Sequence, residues 1–185
     1  QLEKWVGLET ARALWELGLE AVDTVCELIQ QHAIDCELKQ GNLHVASKAG
    51  DNASLPGEVE HLQKVYGYEQ IRYVDAAELR EMTSAQGFGG ATLNTGCRHL
   101  HPLNYALGLA NAALKLGAQI YEGSRVLTYT EGEQITVKTD SGQVNARFLI
   151  VACNGYLEKL EPRTAGRIMP INNYMLATAP LSDEL

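Results

Sequence analysis

The feature that most constrains the fold is the apolar run that opens residues 148–156, with the sequence FLIVACNGY. The run is too short to span a membrane and is continuously apolar, which predicts a strand buried on both faces of a parallel or mixed sheet. Ligands of open α/β sheets bind just beyond the carboxyl ends of such strands. Asn154 and Gly155 stand at that end, and because glycine lacks a Cβ, a ligand can approach the backbone there.

Composition narrows the possible partners. Of 185 residues, 45% are apolar, and 15 basic side chains stand against 23 acidic ones for a net charge of −8. A packed core is therefore expected. Since no basic cluster occurs, nucleic acid and anionic membranes are poor partners. No apolar run approaches the ~20 residues that a membrane-spanning helix needs.

The four cysteines, Cys26, Cys36, Cys97 and Cys153, are scattered and form no C-x-x-C pair. This pattern predicts reduced thiols in a cytoplasmic protein rather than a disulfide framework. The chain begins at Gln1 and enters helical sequence at once, and it ends at Leu185 without a stop signal. We interpret it as an internal segment of a longer protein.

Periodicity and turn residues predict an alternation of helices and strands. Gly7 and Gly18 each mark a close helix contact or a break in the first helix. Gly67 ends the second helix, and Asp75 caps the third in a box with Glu78. Helices are expected over 2–33, 58–66, 76–81 and 103–116. A loop is expected over 47–57. Strands are expected over 36–39, 41–46, 71–74, 88–93, 119–122, 125–130, 134–139, 143–151 and 171–178.

Several motifs resemble the FAD-dependent amine oxidoreductases of the D-amino-acid oxidase type. The motifs that carry the resemblance are HLHPLN at 99–104, ALG at 106–108, GAQIYE at 117–122 and FLIVACNGY at 148–156, together with Leu160, CELKQG at 36–41 and the C-terminal 177–185. The resemblance extends over nearly the whole chain.

The resemblance implies an α/β (mixed α+β) fold with two parts. One is a discontinuous FAD-binding domain, represented by residues 1–35 and 99–164. The other is a substrate domain on a mixed sheet, represented by 36–98 and 165–185. The implied reaction moves a hydride from an amine-bearing carbon to the flavin, and the resulting imine is hydrolysed. Oxygen or another acceptor then reoxidises the flavin. The implied substrate is a γ-glutamylputrescine-like polyamine derivative or a secondary amino acid.

One departure from the family pattern concerns the FAD pyrophosphate. The family places a G-x-G-x-x-G turn near its N-terminus, where a helix end holds that group. No such motif occurs in this chain, and the segment at 88–91 lacks the spacing. The family's acidic ribose ligand and its C-terminal flavin-contacting segment are also missing, so we expect weak FAD binding by this chain alone. The alternative is a non-catalytic α/β binding or oligomerisation module without flavin.

The candidate cofactor residues follow from the resemblance and the strand-end rule. They are Val126, Ala152, Cys153, Asn154 and Gly155. The simpler readings are a core valine at Val126, a packed thiol at Cys153 and an ordinary strand-ending turn at Asn154 and Gly155.

The candidate substrate-side residues are His101, Arg98, Asn172 and Tyr174. Asn172 and Tyr174 share one face of the last expected strand, although a packed tyrosine is an equal interpretation of Tyr174. Arg98 has the planar fork that suits a carboxylate, although a surface arginine is an equal reading. His101 is either structural or close to the flavin edge. Cys97, His99 and His101 are each two residues apart, so on an extended segment they would share one face and could bind zinc. No fourth ligand is apparent, so no metal is assigned. Catalytic residues and oligomeric state stay unassigned.

Overall fold

Two three-stranded antiparallel sheets, each in its own compact unit, form the framework of the computed structural model. The structure describes residues 2–84, 86–174 and 182. The first unit comprises residues 1–120 and the second comprises 121–185. The mixed α/β class expected from the sequence is confirmed. No helix among the described residues is long and apolar enough to cross a membrane.

The first unit alternates helices with the strands of one sheet, whose spatial order is β1-β3-β2. Its helices are α1 (Leu2–Val6), α2 (Leu8–Gln31), α3 (Ala49–Tyr66), α4 (Ala76–Met82) and α5 (Pro102–Lys115). Its strands are β1 (Lys39–Val45), β2 (Ile71–Asp75) and β3 (Gly90–His99).

Both faces of this sheet pack against helices, because successive strand side chains point to opposite sides. On one face, Ile71 and Tyr73 of β2 join a cluster that includes Val59 of α3 and Trp15 of α2. The Trp15 ring lies 5.2 Å from the rings of both Tyr66 and Tyr68, measured between centroids. On the other face, the core consists of Val74, Leu79 and Ala91, with Leu43, Val45, Phe88 and Leu93 packed against it.

Helix α5 approaches the end of α2 closely. A Cβ built at Gly108 would lie 2.3 Å from Cγ2 of Ile34, a separation that no larger residue tolerates without movement. Pro102 occupies the first turn of this helix, where proline is favoured. The close approach of Gly108 therefore sets the packing distance between the two segments.

Asp75 caps α4 as expected, since its carboxylate accepts hydrogen bonds from the backbone N–H groups of Ala77 (2.8 Å) and Glu78 (2.9 Å). The expected capping box is wrong in one part. The Glu78 carboxylate accepts two hydrogen bonds from the Arg72 guanidinium instead of bonding to the cap residue. An ion pair with β2 thus replaces the reciprocal half of the box.

The Asp75 cap predicts a pH dependence of stability. Hydrogen bonds from the Glu78 and Ala77 backbone lower the pKa of the Asp75 carboxyl. The folded-state pKa is thus below the unfolded one, so the stabilisation is present above the unfolded pKa and is lost as the pH falls through the folded pKa. Urea denaturation between neutral pH and about pH 3 should therefore show a steeper loss of stability in the native chain than in Asp75→Asn, which keeps a capping side chain but does not titrate. Equal pH profiles would contradict this role.

The second unit is a β-meander followed by a compact loop. Its strands are β4 (Val126–Thr130), β5 (Ile135–Thr139) and β6 (Gln143–Ala146), in the spatial order β4-β5-β6. The 3₁₀ helix Asn154–Tyr156 and the short helix α6 (Pro162–Ala165) follow. A turn at 140–142 joins β5 to β6, and the Gly142 carbonyl accepts a hydrogen bond of 2.8 Å from the backbone N–H of Thr139.

The prediction of a buried strand over 148–151 is wrong for this chain. These residues have no regular secondary structure, and Phe148 and Ile150 are 81% and 88% exposed. Residues 119–122 likewise form no strand. A central strand requires hydrogen-bonded neighbours on both sides, and within the described residues neither segment belongs to a sheet.

Four further expectations are corrected. One strand, Lys39–Val45, replaces the two expected over 36–39 and 41–46, because Gly41 adopts φ +99° at a bulge instead of a turn, and residues 36–38 have no regular secondary structure. The loop over 47–57 is mostly helix, since burial of Leu55 outweighs the local turn composition. Gly7 breaks the first helix at φ +80°, but Gly18 marks neither a break nor a close contact. Residues 171–174 are not a strand, and 175–178 lie outside the described residues.

Candidate cofactor site

The loop that follows the exposed apolar run is held in an unusual backbone conformation. Asn154 has φ +47° and begins a single 3₁₀ turn. The Tyr156 N–H donates to the Cys153 carbonyl at 3.0 Å, and the Leu157 N–H donates to the Asn154 carbonyl at 3.3 Å. Asparagine is one of the few residues other than glycine that adopt the left-handed region readily, and such residues occur in turns and at functional sites.

Leu157 anchors this loop, because it is only 4% exposed. Leu157 lines two grooves. The large groove, of about 760 Å³, is lined by Tyr129, Glu131, Val151, Cys153, Asn154, Leu157, Glu161, Arg163, Thr164, Arg167 and Ile168. The small groove, of about 350 Å³, is lined by residues 125–127, Cys153 and residues 156–160. Cys153 and Leu157 line both grooves.

The structure brings most of the candidate cofactor residues together. Val126 lines the small groove, Asn154 lines the large one, and Cys153 lines both. Ala152 is the exposed residue that precedes Cys153. Gly155 faces open space, since a Cβ built there would meet no atom within 4 Å. The second unit therefore presents these five residues around one loop.

The large groove carries charges of both signs. Arg163 and Arg167 supply two cations, and Thr164 supplies a hydroxyl group. The Glu161 carboxylate accepts hydrogen bonds from the backbone N–H groups of Thr164 (2.6 Å) and Arg163 (3.2 Å). A hydrogen bond from the Thr164 side chain, together with these backbone bonds, lowers the pKa of Glu161, which therefore stays ionised and caps α6. An ionised carboxylate repels phosphate, so Arg163 and Arg167 are the charged groups of this groove that suit a phosphate.

The candidate substrate-side residues of the first unit have structural partners. The Arg98 guanidinium donates from Nη1 to the carbonyls of residues 95, 96 and 97, at 3.1, 3.0 and 3.0 Å. His101 caps α5, because its Nδ1 accepts a hydrogen bond of 3.3 Å from the Asn104 N–H. The backbone N–H of His101 donates to the Cys36 carbonyl at 2.7 Å.

Asn172 and Tyr174, the candidate substrate-side residues of the second unit, are exposed. They lie in a segment without regular structure, so the shared strand face expected for them is not present there. All four cysteines are free thiols. Within residues 2–84, 86–174 and 182, no three or more His, Cys, Asp or Glu residues form a group that could hold a metal ion.

Comparison with known proteins decides the family. The family model described as DAO, FAD dependent oxidoreductase, matches residues 1–185. The chain belongs to this family. The DAO-family chain is 36% identical over all 185 residues to gamma-glutamylputrescine oxidoreductase of Escherichia coli strain K12. It is 33% identical over 182 residues to the probable oxidoreductase OrdL of Rhizobium meliloti. It spans 43% and 42% of the lengths of these two relatives.

Solved structures show the same fold. Glycine oxidase from Geobacillus kaustophilus superposes with a TM-score of 0.64 at 23% identity, over 86% of this chain and 42% of that one. L-proline dehydrogenase from P. horikoshii superposes with a TM-score of 0.63 at 20% identity, over 78% of this chain and 40% of that one. The expected family and fold class are confirmed, and FAD is the cofactor of the family.

Sequence reasoning missed several residues of the grooves in this DAO-family chain. Arg163 and Arg167 come after Pro162 and are four residues apart. In a helical turn this spacing places two side chains on one face, so the sequence could have predicted a pair of neighbouring cations here. No comparable sequence pattern indicates that Leu157 anchors the loop or that Arg125 pairs with Glu158. Both depend on how the loop folds back against β4.

Proposed function

We propose that this chain is part of a longer FAD-dependent oxidoreductase that oxidises an amine. The first candidate substrate is a γ-glutamylputrescine-like polyamine derivative, and the second is a secondary amino acid. The observation that carries this proposal is the 36% identity to gamma-glutamylputrescine oxidoreductase over all 185 residues. The domain division, with residues 1–35 and 99–164 on the flavin side, belongs to the same proposal, as does a cytoplasmic location.

The side chains around the loop suit the phosphate and ribose portion of FAD. Arg163, Arg167 and Thr164 can bind phosphate oxygens, and the apolar Val151 and Leu157 can pack against a ring. Gly155 offers backbone without a side chain, and Val126 lines the small groove. When bound, FAD supplies the acceptor for a hydride from the amine-bearing carbon, which leaves an imine for water to hydrolyse. The protein's own contribution is to bind and orient.

The largely exposed segments 119–122 and 148–151, both expected from the sequence to be strands, support weak FAD binding by this chain alone. The run at 148–151 has the sequence of a buried strand, and large apolar side chains such as Ile150 are costly to leave in water. We propose that both segments pair with strands from a longer polypeptide, which would complete the sheet beneath the loop. The substrate side would then be formed with help from Arg98, His101, Asn172 and Tyr174.

The test uses the longest natural polypeptide that contains this chain, purified with FAD. Under anaerobic conditions, γ-glutamylputrescine, L-proline and glycine are mixed separately with the protein, and the loss of visible flavin absorbance is followed. We expect γ-glutamylputrescine to reduce the flavin fastest. Faster reduction by proline or glycine would overturn the substrate assignment. A protein that binds no flavin would overturn the cofactor assignment and favour the non-catalytic module.

A further inference from the structure

One ion pair joins the two segments that carry the candidate cofactor residues. Nη2 of Arg125 contacts Oε2 of Glu158. Arg125 immediately precedes Val126, the first residue of β4, and Glu158 immediately follows the anchor Leu157. Both charged residues line the small groove together with Val126 and Cys153. The pair therefore spans this groove from the strand side to the loop side.

The backbone at Glu158 adopts the left-handed region. Glu158 has φ +48°, close to the +47° of Asn154, so two left-handed residues bracket the short 3₁₀ turn. The hydrogen bonds from Tyr156 and Leu157 hold the middle of the turn, and burial of Leu157 holds its end. Left-handed non-glycine residues persist where neighbouring contacts determine them. From this backbone conformation the Glu158 side chain forms its salt bridge to Arg125.

We propose that Arg125 and Glu158 are positioning residues that set the separation between β4 and the loop 153–158. They hold the small groove open before FAD enters. The inference rests on the proposed function, because it assigns the groove to the FAD of the family. Neither side chain needs to touch FAD, since the pair acts through the backbone of Val126 and through Cys153.

The expected size of the effect follows from exposure. The two side chains are 70% and 65% exposed, and ion pairs at such positions are weak. Breaking the pair should change the dissociation constant of FAD about two- to fivefold. Salt screens exposed charges, so the difference should shrink at high ionic strength.

The experiment compares three variants with the native sequence, all in the longest natural polypeptide that contains this chain. Glu158→Gln removes the charge and keeps the shape. The charge reversal Arg125→Glu with Glu158→Arg restores a pair of opposite charges. Glu133→Gln alters an exposed glutamate in the turn between β4 and β5 and serves as the matched control.

Two measurements are made. The first is the alkylation rate of Cys153 by iodoacetamide without FAD, read by mass spectrometry. The half-buried thiols of Cys26 and Cys97 lie in the first unit and serve as internal references. The second is the dissociation constant of FAD at low salt. The thiol measurement reports the loop without requiring the cofactor.

We expect Glu158→Gln to raise the Cys153 rate and the FAD dissociation constant about two- to fivefold. The charge reversal should restore both, and Glu133→Gln should change neither. An unchanged Cys153 rate in Glu158→Gln, or a reversal that fails to restore it, would overturn the positioning role. If the Cys153 alkylation rate responds as expected but the protein binds no FAD, the positioning role would be supported and the proposed cofactor function would be overturned.

Discussion

Leu79→Ala should lower the free energy of unfolding of this chain by about 3 kcal/mol. Leu79 is 2% exposed, and it packs on α4 against the fully buried Val74 and Ala91. Removal of its side chain takes apolar surface out of the core and leaves a cavity. Val74 and Ala91 belong to β2 and β3, whose hydrogen-bonded register prevents them from moving in to fill it. Urea denaturation followed by circular dichroism measures the loss.

Leu103→Ala is the matched control for this measurement. Leu103 lies in the first turn of α5 and is 61% exposed, so the same substitution removes little buried surface. Its effect should stay within about 0.5 kcal/mol. A Leu103 effect as large as that of Leu79 would mean that the core between α4 and the sheet does not carry the stability of the first unit.

The elements that were predicted from the sequence are those that local patterns determine. Helix α5 begins with Pro102 and has an apolar face, and β5 alternates apolar and polar residues next to a hairpin turn. The Gly67 end of α3 was also predicted, since a left-handed residue is required there, and glycine adopts φ +66° without strain. Each of these signals lies within a few residues of the element it specifies.

The failures involve contacts between distant residues. Residues 49–57 have the composition of a loop but join α3, because Leu55 and Val59 are buried in the folded unit. Residues 148–151 have the composition of a central strand but form none, since a strand exists only with neighbours that supply its hydrogen bonds. Local propensity cannot report whether those neighbours are present.

The candidate site shows the same division. Asn154 and Gly155 were predicted by the rule that ligands bind beyond the carboxyl end of a buried strand, together with the family resemblance. The chain folds its loop there even though the strand itself is not formed. Arg125 and Glu158 are 33 residues apart, so no local pattern could pair them. Only the folded loop, anchored by Leu157, brings them together.

Gly155→Leu should raise the dissociation constant of FAD at least about tenfold, which corresponds to about 1.4 kcal/mol. A Cβ at Gly155 would meet no atom of the chain within 4 Å, so the added side chain fits the unliganded fold. It would instead enter the space that we assign to the cofactor. Flavin fluorescence titration of the longest natural polypeptide gives the dissociation constant, and urea denaturation should show stability within about 0.5 kcal/mol of the native protein.

Gly142→Leu separates a specific block from a general effect of a larger side chain. Gly142 lies in the turn between β5 and β6, and a Cβ there also meets no atom within 4 Å. Both glycines accept a side chain equally well in the fold, but only Gly155 lies in the proposed site. FAD affinity should therefore fall in Gly155→Leu alone. Equal losses of FAD affinity in the two variants, or undiminished affinity in Gly155→Leu, would remove Gly155 from the cofactor site. Either result would mean that bound FAD does not occupy the open space beside Gly155.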